Sequence, residues 1–232
     1  MAKEILIYKV PKKFKVKRVN ILPSSVMDHY KFVKHDYSER SKQNLLRIGT
    51  SGKELAGSNP FMQVCLQDNG LLPERARLAT RDDLEEAILF NKDFLSENYT
   101  TFGLALVSIG DSFDNHLLSE RLSEQLKERN INPRGKLIPL TALKLREDKN
   151  SFYGLVFDLN EQANKETIRD LAEFKWDYTK NQGLTCACLF RGKYWTSDDY
   201  KLGDFRSDGR VVVVNESEES FTKKALDSLL IS

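Results

Sequence analysis

Low-polarity residues run from Phe102 to Ile109 and stop at Gly110, where the chain turns polar. Beyond that turn, leucines recur at helical spacing as far as Leu126. A continuous apolar run bounded by glycine is typical of a buried strand, and the leucine spacing is typical of one face of a helix. The pattern predicts a strand that begins near Phe102 and a helix that ends near Arg129.

The same patterning predicts four more elements further along the chain. They are strands over 136–145, 152–159 and 184–195 and a helix over 165–180. The helix is predicted because Ile168, Leu171, Phe174 and Tyr178 lie on roughly one side of a helical projection. The resulting order is βαββαβ, which resembles the ferredoxin-like fold with two helices on one face of a four-stranded antiparallel sheet. We therefore expect an α+β protein with a ferredoxin-like core.

The flanking segments suggest two parts. Residues 1–98 are expected to form an α/β extension, and residues 99–232 the ferredoxin-like core with a carboxy-terminal hairpin and helix. Within the extension, 61–66 reads as a strand, and Thr80 is expected to cap a helix with acidic residues in its first turn. In the tail, a strand is predicted at 211–214.

Both faces of the predicted sheet are apolar. Leu104 and Leu106 alternate with Ala105 and Val107, so neither side of this strand offers a polar face to solvent. Strands of this kind belong to sheets that are covered twice. The second cover is expected to be the amino-terminal extension or a partner subunit, which leaves a homo-oligomer possible.

Charge is balanced overall but unevenly distributed. The chain carries 36 Lys and Arg against 34 Asp and Glu. A basic cluster near the amino terminus consists of Lys12, Lys13, Lys15, Lys17 and Arg18. Such a strand could contact phosphates, or its lysines could protect a sheet edge from aggregation. Arg191 and Lys193, beside Tyr194 and Trp195, form a second candidate for anion binding.

Cysteine and histidine usage points away from disulfides and metals. The three cysteines are Cys65, Cys186 and Cys188, too few for a disulfide framework. His29 and His35 have no companion at ligand spacing, so we expect no metal site and no cofactor. No apolar stretch approaches the roughly 18 residues of a membrane span, and the first residues lack a secretory pattern. The expected setting is the cytoplasm, without membrane contact.

The turn Gly110-Asp111-Ser112 resembles the nucleophile block of the GDSL hydrolases. That resemblance implies a nucleophilic Ser112 with backbone N–H groups holding an oxyanion. The family also carries an Asp-x-x-His block near its carboxyl end, whereas no histidine follows His116 here. The competing interpretation is that Asp111 or Ser112 caps the helix.

The segment 150–157 is similar to the aromatic octapeptide of RNA recognition motifs, which lies on the third strand of a βαββαβ core. Phe152 and Phe157 match that pattern, but its leading basic residue and central second aromatic are missing. Base stacking also requires an open sheet face, which the apolar strands oppose.

Three functions follow as expectations. The first is a non-enzymatic binding or assembly protein whose basic amino-terminal face meets an acidic protein or a nucleic acid. The second is a nucleic-acid-binding protein that adds Arg191 and Lys193 to that face. The third is a serine hydrolase acting through Ser112. The first is favoured, because the catalytic patterns each lack required residues.

Overall fold

The fold was analysed in a computed structural model, which describes residues 17–21, 37–51, 54–55, 59–109, 115–180, 182–199, 202–203 and 208–216. The helices are α1 (Glu39–Gly49), α2 (Pro60–Asp68), α3 (Arg81–Phe90) and α4 (His116–Glu128). The strands are β1 (Lys17–Ile21), β2 (Thr50–Ser51), β3 (Glu54–Leu55), β4 (Ala76–Leu78), β5 (Tyr99–Leu106), β6 (Lys136–Pro139), β7 (Leu143–Glu147), β8 (Leu155–Leu159), β9 (Arg169–Asp170), β10 (Tyr178–Thr179), β11 (Leu184–Phe190), β12 (Tyr194–Asp199) and β13 (Val212–Glu216). Short 3-10 turns occupy Leu140–Ala142 and Leu171–Glu173.

The main sheet has six strands in the order β10-β12-β11-β5-β6-β9. All neighbours are antiparallel except β10 and β12, which run parallel. A second sheet has the order β1-β13-β4, and β7 pairs with β8 alone. With helices packed on sheets in this way, the α+β class is confirmed.

The centre of the main sheet is covered on both faces, as the sequence predicts. Every residue of β5 is buried. Leu104 and Leu106 belong to one hydrophobic cluster, together with residues of α2 and α4. Phe102 and Ala105 belong to another, together with residues of α3 and β13. The chain therefore supplies both covers from its own elements.

The ferredoxin-like order is not what the strands form, because its second helix is absent. Residues 165–180 contain β9, a 3-10 turn and β10 instead of a helix. Asn164 explains part of the difference, since its Oδ1 accepts hydrogen bonds from the backbone N–H groups of Glu166 and Thr167 at 2.8 and 3.0 Å. Such a side-chain turn competes with helical hydrogen bonding at the point where the helix would begin.

The predicted strand over 61–66 is also wrong, because these residues form α2. Asn59 caps this helix, its Oδ1 accepting from the Met62 N–H at 3.2 Å, and Pro60 occupies the first turn. All residues from Pro60 to Leu66 are buried. Because this short helix is buried on all sides from Pro60 to Leu66, its sequence has no exposed polar stripe there, and periodicity cannot separate it from a buried strand.

Two long predicted strands are each divided. The stretch 184–195 is the β11–β12 hairpin, turning at Arg191–Lys193, and 136–145 is interrupted by the first 3-10 turn. Helices α3 and α4 confirm the helices predicted after Thr80 and after the Phe102 strand. The strand predicted at 211–214 is confirmed as β13.

Strand β13 pairs with two strands that are distant from it in the sequence. It lies between β1 and β4 and pairs antiparallel with both.

The predicted boundary between residues 98 and 99, which separates the amino-terminal extension from the core, stays a prediction. The predicted final helix from Ser217 lies outside the described residues. Of the predicted hairpin around 207–209, Ser207 also lies outside them, and Gly209 forms an isolated parallel bridge with Tyr99. In the described part of the chain, no helix is both long enough and apolar enough to cross a membrane.

Candidate functional site: an aromatic and basic edge of the main sheet

Aromatic and basic side chains meet where β10, β11 and β12 reach the edge of the main sheet. We call this surface the aromatic–basic edge. Its residues are Tyr178, Phe190, Arg191, Lys193 and Tyr194. The rings of Tyr178 and Tyr194 lie 6.1 Å apart with an angle of 54° between their planes, and Tyr178 is 57 % exposed.

Strand pairing brings these rings to one face. Tyr178 lies opposite Thr196, two residues beyond Tyr194 on β12, and Phe190 lies opposite Tyr194 on β11. Directly paired residues, and residues two apart on a strand, project to the same side of a sheet. The parallel β10–β12 pairing therefore places three aromatic side chains side by side.

Two cations lie over these rings. The Arg191 guanidinium is 4.9 Å from the Phe190 ring centroid, and the Lys193 ammonium is 5.1 Å from that of Tyr194. Both cations are solvent exposed. A cation held over an aromatic ring keeps its charge at the surface while the ring remains available along its edge and its free face.

The hairpin tip that presents the cations is held by its backbone. Arg191 adopts φ 54° and donates its N–H to the Asn98 carbonyl at 2.7 Å. Gly192 follows with φ 60°, and a Cβ added there would lie 2.1 Å from the Phe94 carbonyl oxygen. Glycine thus allows the hairpin tip to pack directly against the backbone of residues 94–98. This contact fixes the positions at which Arg191 and Lys193 reach the surface.

Within the aromatic–basic edge, the two charged residues are the cations Arg191 and Lys193. Acidic residues flank it in the sequence, with Glu173 before β10 and Asp198 and Asp199 at the end of β12. The Asp177 Oδ2 accepts the Trp195 N–H at 2.8 Å, so this carboxylate is engaged with the strand backbone. The two cations over the rings favour an anionic partner over a cationic one at this surface.

Beneath the edge, on the other face of the sheet, Arg81 is enclosed by aromatic rings. Its guanidinium carbon lies 4.4 Å from the Trp195 ring centroid, 4.5 Å from that of Phe174 and 4.6 Å from that of Trp176. The side chain is only 4 % exposed, and burial lowers the pKa of Arg81, although Glu85 opposes that shift. This arrangement, which we call the Arg81 cage, anchors Trp195 from below.

Two hydrogen bonds engage two of the five N–H donors of the Arg81 guanidinium. Nε donates to Glu85 Oε1 at 2.8 Å and Nη2 donates to the Lys175 carbonyl at 2.7 Å. Nη1 is sealed from water and has no hydrogen-bond partner among the residues that the structure describes. The guanidinium carbon lies within 4.6 Å of three ring centroids, so the group contributes packing and cation–π attraction.

The sequence-predicted residues fall in different places. Arg191 and Lys193 lie at the aromatic–basic edge. Lys17 and Arg18 belong to β1, an edge strand of the second sheet. The candidates Lys12, Lys13, Lys15 and Ser112 lie outside the described residues.

The structure bears on two sequence interpretations that involve aromatic residues. Trp195 points into the second hydrophobic cluster, against Phe102 at 5.5 Å between ring centroids, and is not part of an exposed pair with Tyr194. Phe157 is fully buried on Phe61, at 4.4 Å, and its strand β8 is not in the main sheet. The RNA recognition octapeptide is therefore not displayed on an open sheet face.

Sequence reasoning missed Tyr178 as a surface residue and Arg81 altogether. Tyr178 was expected on a helix, and only the pairing of β10 with β12 brings it to Tyr194. Arg81 lies in sequence far from all three rings that enclose it. Within the described ranges, no group of three or more His, Cys, Asp or Glu residues could hold a metal ion.

No protein-family model, curated protein or solved structure matches the chain at a level that shows a relationship. Functional inference therefore depends on the geometry of the chain itself.

Proposed function

We propose that this chain is a non-enzymatic binding protein for an anionic partner, and that the partner is a single-stranded nucleic acid. The observation that carries the proposal is the aromatic–basic edge, where Tyr178 and Tyr194 lie beside the exposed cations Arg191 and Lys193. Single strands are held by aromatic side chains that stack on bases and by basic groups that follow the backbone.

The geometry favours single strands over duplexes. Stacking needs unpaired bases, and the two tyrosine rings are close enough to engage neighbouring bases of one strand. No recognition helix projects from this part of the described chain, since the edge consists of β10, β11 and β12. Contacts of this type are largely independent of sequence.

The basic amino-terminal cluster is the second part of the proposal. Lys17 and Arg18 belong to the edge strand β1, and Lys12, Lys13 and Lys15 precede it in the sequence. In this function the cluster adds phosphate contacts to those of the aromatic–basic edge. No observation favours the hydrolase alternative, because Ser112 lies outside the described residues.

The test is binding of a fluorescent single-stranded oligonucleotide of about 15 nucleotides, long enough for one such surface. Tyr178→Ala should weaken binding by roughly 5- to 150-fold, the range for losing one stacked base. Phe152→Ala is the matched control, because Phe152 is equally exposed, at 57 %, and does not belong to this edge. The control should bind as the unmodified chain does.

The charge contribution is measured separately. Arg191→Gln with Lys193→Gln should flatten the slope of log affinity against log salt by about 1.4, since each phosphate contact on a single strand contributes about 0.7. Lys13→Gln, Lys15→Gln and Lys17→Gln together should flatten it by about 2.1 on the same basis. Lys149→Gln, an exposed lysine away from both surfaces, serves as the control for a charge change alone.

Several outcomes would contradict the proposal. Absence of binding to single-stranded DNA and RNA at low salt would overturn it. Binding to poly-glutamate in preference to the oligonucleotide would identify an acidic protein as the partner. An unchanged salt slope in the lysine variants would leave edge protection as the role of the amino-terminal cluster.

A further inference from the structure

A separate cavity of about 520 Å³ lies at the end of α2, beside β7 and the loop after β8. We call it the polar cavity. Its wall includes the side chains of Tyr37, Gln67, Asp68, Asn69, Lys144 and Glu161. None of these residues belongs to the aromatic–basic edge, so a ligand of this cavity would be independent of the proposed function.

The amide side chains of the polar cavity are already held by the backbone. Gln67 Nε2 donates to the Leu143 carbonyl at 3.2 Å, and Asn69 Nδ2 donates to the Cys65 carbonyl at 2.8 Å. Asn69 Nδ2 also donates to Cys65 Sγ at 3.5 Å, so both of its N–H groups are engaged, whereas Gln67 keeps one N–H donor. These bonds hold both amide groups in place, and each amide brings an acceptor oxygen to the cavity wall.

The charged residues of the cavity wall favour a cationic ligand. Asp68 and Glu161 are carboxylates, and Lys144 is the single cation among the lining residues. Asp68 is fixed by the Leu145 N–H, which donates to its Oδ2 at 2.7 Å. Burial raises the pKa of Asp68 to about 6, although the Leu145 hydrogen bond and Lys144 oppose the shift. The site carries one negative charge in excess when both carboxyl groups are ionised.

We propose that the polar cavity binds a small organic ammonium ion. Fixed acceptor oxygens and two carboxylates match the N–H donors of an ammonium group, and the Tyr37 ring supplies an aromatic wall of the kind that attracts such cations. The volume of about 520 Å³ is that of a small-molecule site and far exceeds the needs of a bare metal ion. Among the residues described, no metal-ligand cluster of three or more is present.

Lys144 has a defined role in this site. Its ammonium is a lining cation that opposes an incoming one and partly neutralises Asp68. Removing its charge should strengthen cation binding, whereas removing the Asp68 charge should weaken it. Two substitutions in one cavity are thus expected to change the affinity for a cation in opposite directions, which a general loss of structure cannot produce.

The experiment is isothermal titration of the full chain with putrescine, a small diamine. Asp68→Asn should weaken putrescine binding about tenfold, the effect of losing roughly 1.4 kcal/mol, and it keeps an acceptor for the Leu145 N–H. Lys144→Met should tighten binding several-fold. Asp93→Asn, which removes an exposed carboxylate outside the cavity, should leave the affinity unchanged.

Binding should also weaken as pH falls through about 6, because Asp68 becomes protonated. The titratable groups that face it in the cavity are Glu161, Lys144 and Tyr37. In Asp68→Asn this pH dependence should be lost. The proposal is overturned if putrescine shows no saturable binding up to about 10 mM, if Ca²⁺ or glucose binds in its place, or if Asp68→Asn and Asp93→Asn behave alike.

Discussion

Arg81 lies 4.4 Å from the centre of the Trp195 ring, and this contact joins the first turn of α3 to the strand that carries Tyr194. Trp195 and Tyr194 are neighbours that project to opposite faces of β12. The Arg81 cage therefore fixes the strand from one side, while the aromatic–basic edge is displayed on the other. Trp195 thus contributes to the stability of the fold, and the adjacent Tyr194 to the proposed binding surface.

Replacing Arg81 tests the cage. Arg81→Lys should lower the free energy of unfolding by about 2 kcal/mol, because lysine keeps the charge but loses the planar contact with three rings and the bond to the Lys175 carbonyl. Urea unfolding followed by tryptophan fluorescence measures the change. Arg191→Lys is the control, since its exposed cation covers one ring only, and it should shift stability by less than about 0.5 kcal/mol. Equal changes in the free energy of unfolding for the two variants would mean that the Arg81 cage stabilises the fold no more than an exposed cation does.

Asp83 makes the clearest charge pair in the described chain. Arg77 donates to it twice, at 2.6 and 2.9 Å, and the Thr80 N–H donates at 2.9 Å. Burial alone would raise the pKa of Asp83, but Arg77 and Thr80 outweigh burial and hold it well below its usual range. Asp83→Asn should lower stability near neutral pH by about 2 kcal/mol, because a buried partner of Arg77 is lost.

The pH dependence of this pair has a definite sign. A carboxyl group with a depressed pKa in the folded state stabilises the protein above its unfolded pKa of about 4, and the contribution is lost as pH falls towards the folded value. The unmodified chain should therefore lose stability on acidification below about pH 4 more steeply than Asp83→Asn. Asp82→Asn is the control in the same helical turn, because Asp82 is mostly exposed. It should cost less than about 1 kcal/mol.

How far the sequence predicted these elements depends on what each residue contacts. Helix α3 was predictable because Thr80 and Asp83 act locally, as a capping box within one turn. Strand β5 was predictable because a run buried on both faces has few alternatives. The Arg81 cage was not, because Phe174, Trp176 and Trp195 reach Arg81 only after the sheet has formed.

The candidate surface shows the same limit. Arg191 and Lys193 were identified from composition alone, since exposed basic residues beside aromatics are visible in a sequence. Tyr178 was not, because the Asn164 turn replaces the expected helix and sends the chain into β10. A side-chain turn of this kind is decided by a few hydrogen bonds, which a periodicity argument does not register.

Replacing Asp68 should change the stability of the fold in the opposite direction to replacing Asp83. Its pKa is raised to about 6 in the folded state, chiefly by burial. A raised carboxyl pKa favours the protonated folded form, so its stabilising effect is complete below the unfolded pKa of about 4 and is lost as pH rises to about 6. Asp68→Asn should therefore stabilise the chain at pH 7. Because Asp68 retains solvent exposure, the gain should stay below about 1 kcal/mol.

Thermal unfolding at pH 4 and pH 7 checks this expectation. The difference between Asp68→Asn and the unmodified chain should be larger at pH 7 than at pH 4. Asp93→Asn, an exposed carboxylate, should show no such difference. A destabilising Asp68→Asn at pH 7 would mean that the ionised carboxylate is needed for folding.

Gly192 connects the fold to the proposed function most directly. It has φ 60°, and a Cβ there would lie 2.1 Å from the Phe94 carbonyl oxygen, which is backbone and cannot swing aside. Gly135 is a matched control with φ 66° and nothing within 4 Å of the added Cβ. Gly135→Ala should lower the free energy of unfolding only by the conformational penalty of about 1 kcal/mol. Gly192→Ala should lower it by well over about 2 kcal/mol, because the hairpin tip must move.

That movement displaces Arg191 and Lys193, so Gly192→Ala should also weaken oligonucleotide binding under conditions where it remains folded. Urea unfolding and oligonucleotide titration of both variants measure the two effects. Full binding by a destabilised Gly192→Ala would show that the tip's position does not matter for nucleic acid.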